Sequence, residues 1–121
     1  MTCRLNSVEL KDRSHYYLLV RLFMPTPTWD PAKRASNLAK HGLDFLDAAE
    51  VLESQYRFDV PVVRTSESRT LSISYALSVL RVLTVVHTNR SGGVRIISFR
   101  QASKAEREAY LEWLENILDE S

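Results

Sequence analysis

Between Leu83 and Arg100 four basic side chains, His87, Arg90, Arg95 and Arg100, stand among residues otherwise suited to burial, and no acid lies with them. Val, Ile, Thr and Phe favour a pleated surface, and Ser91-Gly92-Gly93 tolerates positive φ, so the stretch is expected to fold as a β-hairpin that carries cations. Such a sheet face calls for an anion. Strict alternation sets Arg95, Ile97 and Phe99 on one side and Val94, Ile96, Ser98 and Arg100 on the other. Both sides then carry apolar residues, which predicts a central hairpin with its arginines near the strand ends. The bias reaches further along the chain: from Arg57 to Arg107 nine Lys or Arg stand against three acids, a surplus of six where the whole chain carries only +1. Charge sorted in this way suits a polyanion. The alternative is a set of exposed strand arginines paired with acids on the helices.

Other chemistries find little support. Histidines at 15, 41 and 87 with no paired cysteines offer no zinc site, no nucleophile elbow or Ser-His-Asp arrangement is legible, and three glycines cannot build a phosphate-cradling loop. No metal or cofactor is therefore expected. A single cysteine, Cys3, precludes an intrachain disulfide and points to the cytoplasm. The longest apolar run, Tyr16 to Phe23, falls far short of the roughly 20 residues that cross a bilayer, and Glu9 and Asp12 before it argue against a signal peptide.

The elements that must position these side chains follow from periodicity. With 121 residues, 45% hydrophobic and 26% charged, the chain reads as one globular domain. Residues 1–23 read as an extension holding a possible edge strand from Tyr16, or as sequence upstream of a start at Met24. Trp29-Asp30-Pro31 predicts a helix start, with Asp30 as cap and Pro31 in the first turn. An apolar stripe of Ala32, Ala35, Leu38 and Ala39 follows, then Lys40 and His41 in the last turn and Gly42 beyond it. A short helix capped by Asp44 has Phe45, Leu46, Ala48, Ala49 and Leu52 as its apolar side. Phe58 to Val63 predicts an edge strand, since Pro61 cannot donate to a ladder. From Arg69 the alternation of Leu71, Ile73, Tyr75 and Leu77 with Thr70, Ser72, Ser74 and Ala76 predicts a strand with one wet face. Ser103 and Glu106 form a capping box, and the last helix is expected to pack through Tyr110, Leu111, Leu114, Ile117 and Leu118. The sum is an α+β fold with helices on one face of a three- to four-stranded antiparallel sheet.

These residues in this order carry a resemblance. Trp29-Asp30-Pro31-Ala32-Lys33, Asn37, Lys40-His41-Gly42, Phe45, Arg69, Val85-Val86-His87-Thr88, Arg90, Arg95-Ile96-Ile97-Ser98, Arg100, Glu106 and Tyr110 together resemble the BrnT family, the toxin halves of type II toxin–antitoxin systems. The resemblance implies a RelE-like ribonuclease fold over residues 24–121. It also implies a metal-independent endoribonuclease that arrests growth and is held inactive by a BrnA-type antitoxin. Operator DNA would be reached only through that antitoxin, with a possible dimer of toxin within the complex. The chain departs from the family's pattern at Ser78-Val79-Leu80, where a glycine-containing turn is usual, at Phe99, where alanine is usual, and in the Pro-Thr-Pro-Thr before Trp29.

The chemistry so implied is attack of a ribose 2′-hydroxyl on its own phosphate. It needs a general base, a donor to the departing 5′-oxygen and fixed positive charge on the phosphorane. Arginine meets the last need, because its planar fork binds two phosphate oxygens and stays charged at any working pH. Arg69, Arg90 and Arg100 are the candidates for this role, His87 is the candidate acid or base, and Lys40, His41, Arg81 and Arg95 are candidate RNA contacts. Each has a plainer reading: strand-end arginines in solvent, an Arg100 bridged to the last helix's acids, a core histidine, and a helix end whose cations suit its dipole. The rival function is a catalytically silent interaction module, either a degenerate toxin or an RNA-binding protein. Whether Arg69, His87, Arg90 and Arg100 converge on one patch separates the two.

Overall fold

The structure, a computed structural model, describes residues 26–64, 67–90 and 92–119. The expected strand from Tyr16, together with Cys3, His15 and Ser91, lies outside the described residues. Helix α1 spans Pro31–His41, a 3₁₀ turn at Phe45–Ala48 runs into the short α2 at Ala49–Leu52, and α3 closes the chain at Lys104–Asp119. Between them lie β1 (Phe58–Arg64), β2 (Glu67–Ala76), β3 (Arg81–Arg90) and β4 (Gly93–Gln101), which pair in chain order as one antiparallel meander. This is the α+β architecture that the pattern predicts, with Pro61 on the edge strand as expected.

Capping is partly as read. Gly42 takes φ 72 and its N–H bonds to the Leu38 carbonyl, Asp44 accepts from the Leu46 N–H, and Ser103 and Glu106 cap each other at 2.9 and 3.1 Å. Asp30 does not cap with its side chain; only its carbonyl enters the helix, accepting from the Arg34 N–H.

The helices divide between the two sheet faces, where one covered face was expected. Phe45, Ala48 and Val51 pack with Ala76, Leu83, Val85, Ile96 and Phe99 on one face, joined by Trp29 edge-on to Phe45. Tyr110, Trp113 and Leu114 of α3 pack with Ile73, Val82, Phe58 and Val60 on the other, with Trp113 stacked on Phe58 at 4.9 Å. Leu111 and Leu118, expected to pack here, are half exposed, and Trp113 packs in this layer without having been expected there. The serine face of β2 is consequently dry. Ser72, Ser74 and Ala76 are buried beneath the first helices, while Tyr75 and Leu77 are exposed.

Helix α1 also turns its expected stripe outward. Its one buried residue is Asn37, whose amide donates to the Phe99 and Leu43 carbonyls at 2.7 and 3.1 Å and whose oxygen accepts from the Phe99 N–H. A saturated amide anchors the helix in place of the apolar ridge. Strict alternation fails in β4 as well. The β3–β4 register slips between Val86 and His87, so that Val86 faces Ser98 and His87 faces Ile96, leaving Ile97 as the extra residue of a bulge. The β2–β3 turn places Leu80 at φ 55, in the left-handed region, where the chain lacks glycine.

Candidate active site

The strand registers decide which cations meet. Thr70 pairs with His87, which sets Arg69 one row on, level with Thr88, whose partner on β4 is Arg95. Arg90 points to the same face two residues beyond Thr88. Arg69, Arg90 and Arg95 thus lie on the α3 side of the sheet, at the end of β3 away from the Ile73, Val82 and Tyr110 cluster that α3 covers. Arg69 and Arg95 stand two strands apart, about 10 Å, which places both guanidinium groups within reach of one nucleic-acid backbone.

A carboxylate sits in this row. Arg69 Nη2 donates to Glu67 Oε1 over 3.5 Å and Arg90 Nη2 to Glu67 Oε2 over 3.3 Å, both long contacts, and Arg90 is 57% exposed. The Arg90 hydrogen bond, with both guanidinium charges, holds the Glu67 carboxyl below the usual range. Among the described residues the buried side-chain polar atom without a partner is Arg69 Nε. Arg69 and Arg90 share one carboxylate through long contacts, so an anion with more oxygens than Glu67 would be better matched to the pair. Glu67 was missed in the sequence, although a Glu and an Arg two apart on a strand must share a face.

Arg100 lies on the same face but about 13 Å further along, level with Thr84. It is spent. Its Nη1 and Nη2 grip Glu106 Oε1 and Oε2 at 2.8 and 2.9 Å, and Glu106 also accepts from Thr84 Oγ1 and from the Ser103 N–H. The Arg100 hydrogen bonds hold Glu106 down to about 2, and Arg100 is raised in turn. This is the plainer reading of Arg100, a bridge to the last helix.

His87 does not join the arginines. It points to the opposite face, 5% exposed, with Nε2 2.7 Å from Ser72 Oγ. Ser72 donates to Asp59 Oδ1 at 2.7 Å, and Arg57 grips the same carboxylate at 2.8 and 3.0 Å. A hydroxyl has one proton and an ionised carboxylate only accepts, so His87 carries its hydrogen on Nε2 and gives it to Ser72. Burial first, then the Arg57 charge, lowers the His87 pKa against the opposing pull of Asp59. Asp59 is lowered despite its own burial, through Arg57 and Ser72. The group is a polar clasp in the sheet, so convergence of all four expected residues is corrected to Arg69 and Arg90, with Arg95 beside them. The remaining candidates scatter: Lys40 and His41 are exposed at the end of α1, on the other face, and Arg81 stands at the far end of β3.

No group of three or more His, Cys, Asp or Glu able to hold a metal occurs among the described residues, and no described helix is long and apolar enough to cross a membrane. The family model for the ribonuclease toxin BrnT of type II toxin–antitoxin systems matches residues 29–106. The chain belongs to the BrnT family. No curated protein matches it. The match opens at Trp29, which seals the core beside Phe45, and closes at Glu106, which fixes Arg100, so the BrnT span coincides with the two-layered sheet and the start of α3. Membership brings with it an RNA substrate and an antitoxin partner.

Proposed function

We propose that this chain is an endoribonuclease toxin that cleaves RNA by attack of a 2′-hydroxyl on the adjacent phosphate, with guanidinium groups in place of a metal ion, and that a BrnA-type antitoxin neutralises it. The observation that carries this reading is the Arg69, Arg90 and Arg95 row, whose contacts to its one carboxylate, Glu67, are long. A phosphate entering the row takes over the guanidinium donors that now share Glu67. Charge building on the non-bridging oxygens meets donors already oriented for it. Glu67, released from its long ion pairs, recovers basicity and stands beside the phosphate to take the 2′-hydroxyl proton. The 2′-oxygen bonds to phosphorus, the P–O5′ bond breaks, and the 5′-oxygen leaves with a proton from solvent, since the Thr88 hydroxyl in the row donates to the Ser68 carbonyl at 2.9 Å. The products are a 2′,3′-cyclic phosphate and a 5′-hydroxyl.

The test uses a labelled RNA and the same RNA with deoxyribose at the cleaved position, in chelator. Wild type should cut the first to a cyclic phosphate and leave the second intact. Arg69→Ala should lower cleavage by roughly 10²- to 10³-fold, the scale of losing an oriented donor, with its melting temperature close to wild type. Glu67→Gln should lower turnover while tightening RNA binding, because it removes both a base and a competing anion. An uncut RNA, or an Arg69→Ala enzyme as active as wild type, refutes the mechanism. The silent-module reading draws on the turning away of His87 and predicts tight RNA binding without cleavage.

A further inference from the structure

A cleft between the 3₁₀ turn with α2 and the β2–β3 turn serves neither the arginine row nor the His87 clasp. It measures about 600 Å³ and is lined by the apolar Leu43, Leu46, Val79 and Leu83 and by the acidic Asp47 and Glu50, and none of the described residues that line it is basic. Its shape is held by Glu50, which accepts from the Ser78 N–H at 3.1 Å and from its hydroxyl at 2.5 Å, tying the turn to the helix. Around it apolar side chains stand in solvent: Leu46 is 56% exposed, and on the turn Leu77 and Leu80 are each 69% exposed. Leu80 is held there at φ 55, a conformation that glycine adopts freely and leucine does not. Neither burial nor backbone preference accounts for a leucine at that position.

A lining of leucine and valine beside carboxylates is complementary to a segment whose apolar residues are flanked by Lys or Arg. We propose that this cleft docks a short amphipathic, positively charged segment of the antitoxin. The identity of the partner rests on the toxin reading above; the chemistry of the surface does not. The cleft lies by Leu83, on the face and at the end of the sheet away from Arg69 and Arg90, so docking there leaves the RNA-contacting row free.

The full chain is titrated into a fluorescent, lysine- and leucine-bearing amphipathic helix of about four turns and, separately, into its glutamate counterpart, with anisotropy as the readout. The lysine peptide should bind at least about tenfold more tightly than the glutamate one. Leu80→Gly and Leu46→Ser should each weaken it about tenfold, the scale of losing one apolar anchor, and Leu80→Gly should melt no lower than wild type. Glu112→Lys, on the acidic outer side of α3, should change nothing. Equal binding by wild type and both leucine variants, or loss on Glu112→Lys, overturns the proposal. So does self-association of the wild type that Leu80→Gly abolishes, because a second copy would then be the occupant. RNA cleavage measured on the same samples separates the two readings: intact cleavage without peptide binding removes the cleft alone, and peptide binding without cleavage removes the ribonuclease alone.

Discussion

Replacing Glu106 by Gln asks whether Arg100 serves the fold or the chemistry. Glutamine is accepted at the third position of a capping box, so the exchange with Ser103 survives and what is lost is the charge facing Arg100. Glu106 titrates at about 2 in the folded chain against 4.5 for a free glutamate, a gap worth roughly 3 kcal/mol at neutral pH. Its side chain is only 17% exposed, but Arg100 is 27% exposed, and screening there reduces the contribution to about 2 kcal/mol. Because the folded value is the lower one, this stability is present above the unfolded value near 4.5 and drains away as pH falls toward about 2. Urea unfolding followed by tryptophan fluorescence should show Glu106→Gln destabilised by about 2 kcal/mol near pH 7, by less than half of that at about pH 3, and scarcely at all at about pH 2. RNA cleavage per folded molecule should stay within about twofold of wild type. A loss of stability independent of pH would refute the ion pair as its source. A tenfold or greater loss of cleavage in folded protein would return Arg100 to the catalytic set.

The other polar anchors should respond in their own ways. Asn37→Ala strips partners from both backbone groups of Phe99 and from the Leu43 carbonyl, and chemical unfolding should register a loss of about 2–3 kcal/mol with the α1 end loosening first in hydrogen exchange. His87 has its folded pKa below the unfolded value, so the unfolded chain takes up the proton first, and stability held above about 6.5 is lost as pH falls beneath it. His87→Asn should flatten the change in melting temperature between about pH 7.5 and 5.5; an unaltered slope would clear His87 of that role.

What the sequence makes legible here is local, and what it hides is tertiary. Strand periods, the Pro31 start, the Gly42 stop and the Ser103–Glu106 exchange depend on neighbours a few residues away, and each forms as its spacing demands. The faces do not follow from spacing alone. The serines of β2 read as wet because a hydroxyl prefers water, yet Ser72 and Ser74 are buried, Ser72 held by Asp59 and His87 and Ser74 by Ser54. Those bonds join positions 13 to 20 residues apart. In α1 the alanines read as core because alanine is apolar, and one amide outcompetes them by saturating backbone groups 62 residues away. The arginines were visible as types, but which of them are spent depends on Glu67 and Glu106, and only the first lies in the same strand.

The bulge in β4 connects these observations. Without the bulge at Ile97, Arg95 would share a face with Phe99, and a guanidinium would enter the layer that holds Trp29, Phe45 and Val85. With it, Ile96 and Phe99 both reach that layer, at 2% and 1% exposure, and Arg95 passes to the side of Arg69 and Arg90. The shifted backbone is met from outside the sheet: Thr28 donates to the Val94 carbonyl at 2.9 Å and accepts from the Ile96 N–H at 2.8 Å, which pins the strand beside the irregularity and delivers Trp29 to the core. One inserted residue therefore completes the apolar layer and the cationic row together. Since each outcome needs the same register, a sequence able to bury Ile96 beside Phe99 is bound to present Arg95 to whatever anion the other two arginines hold.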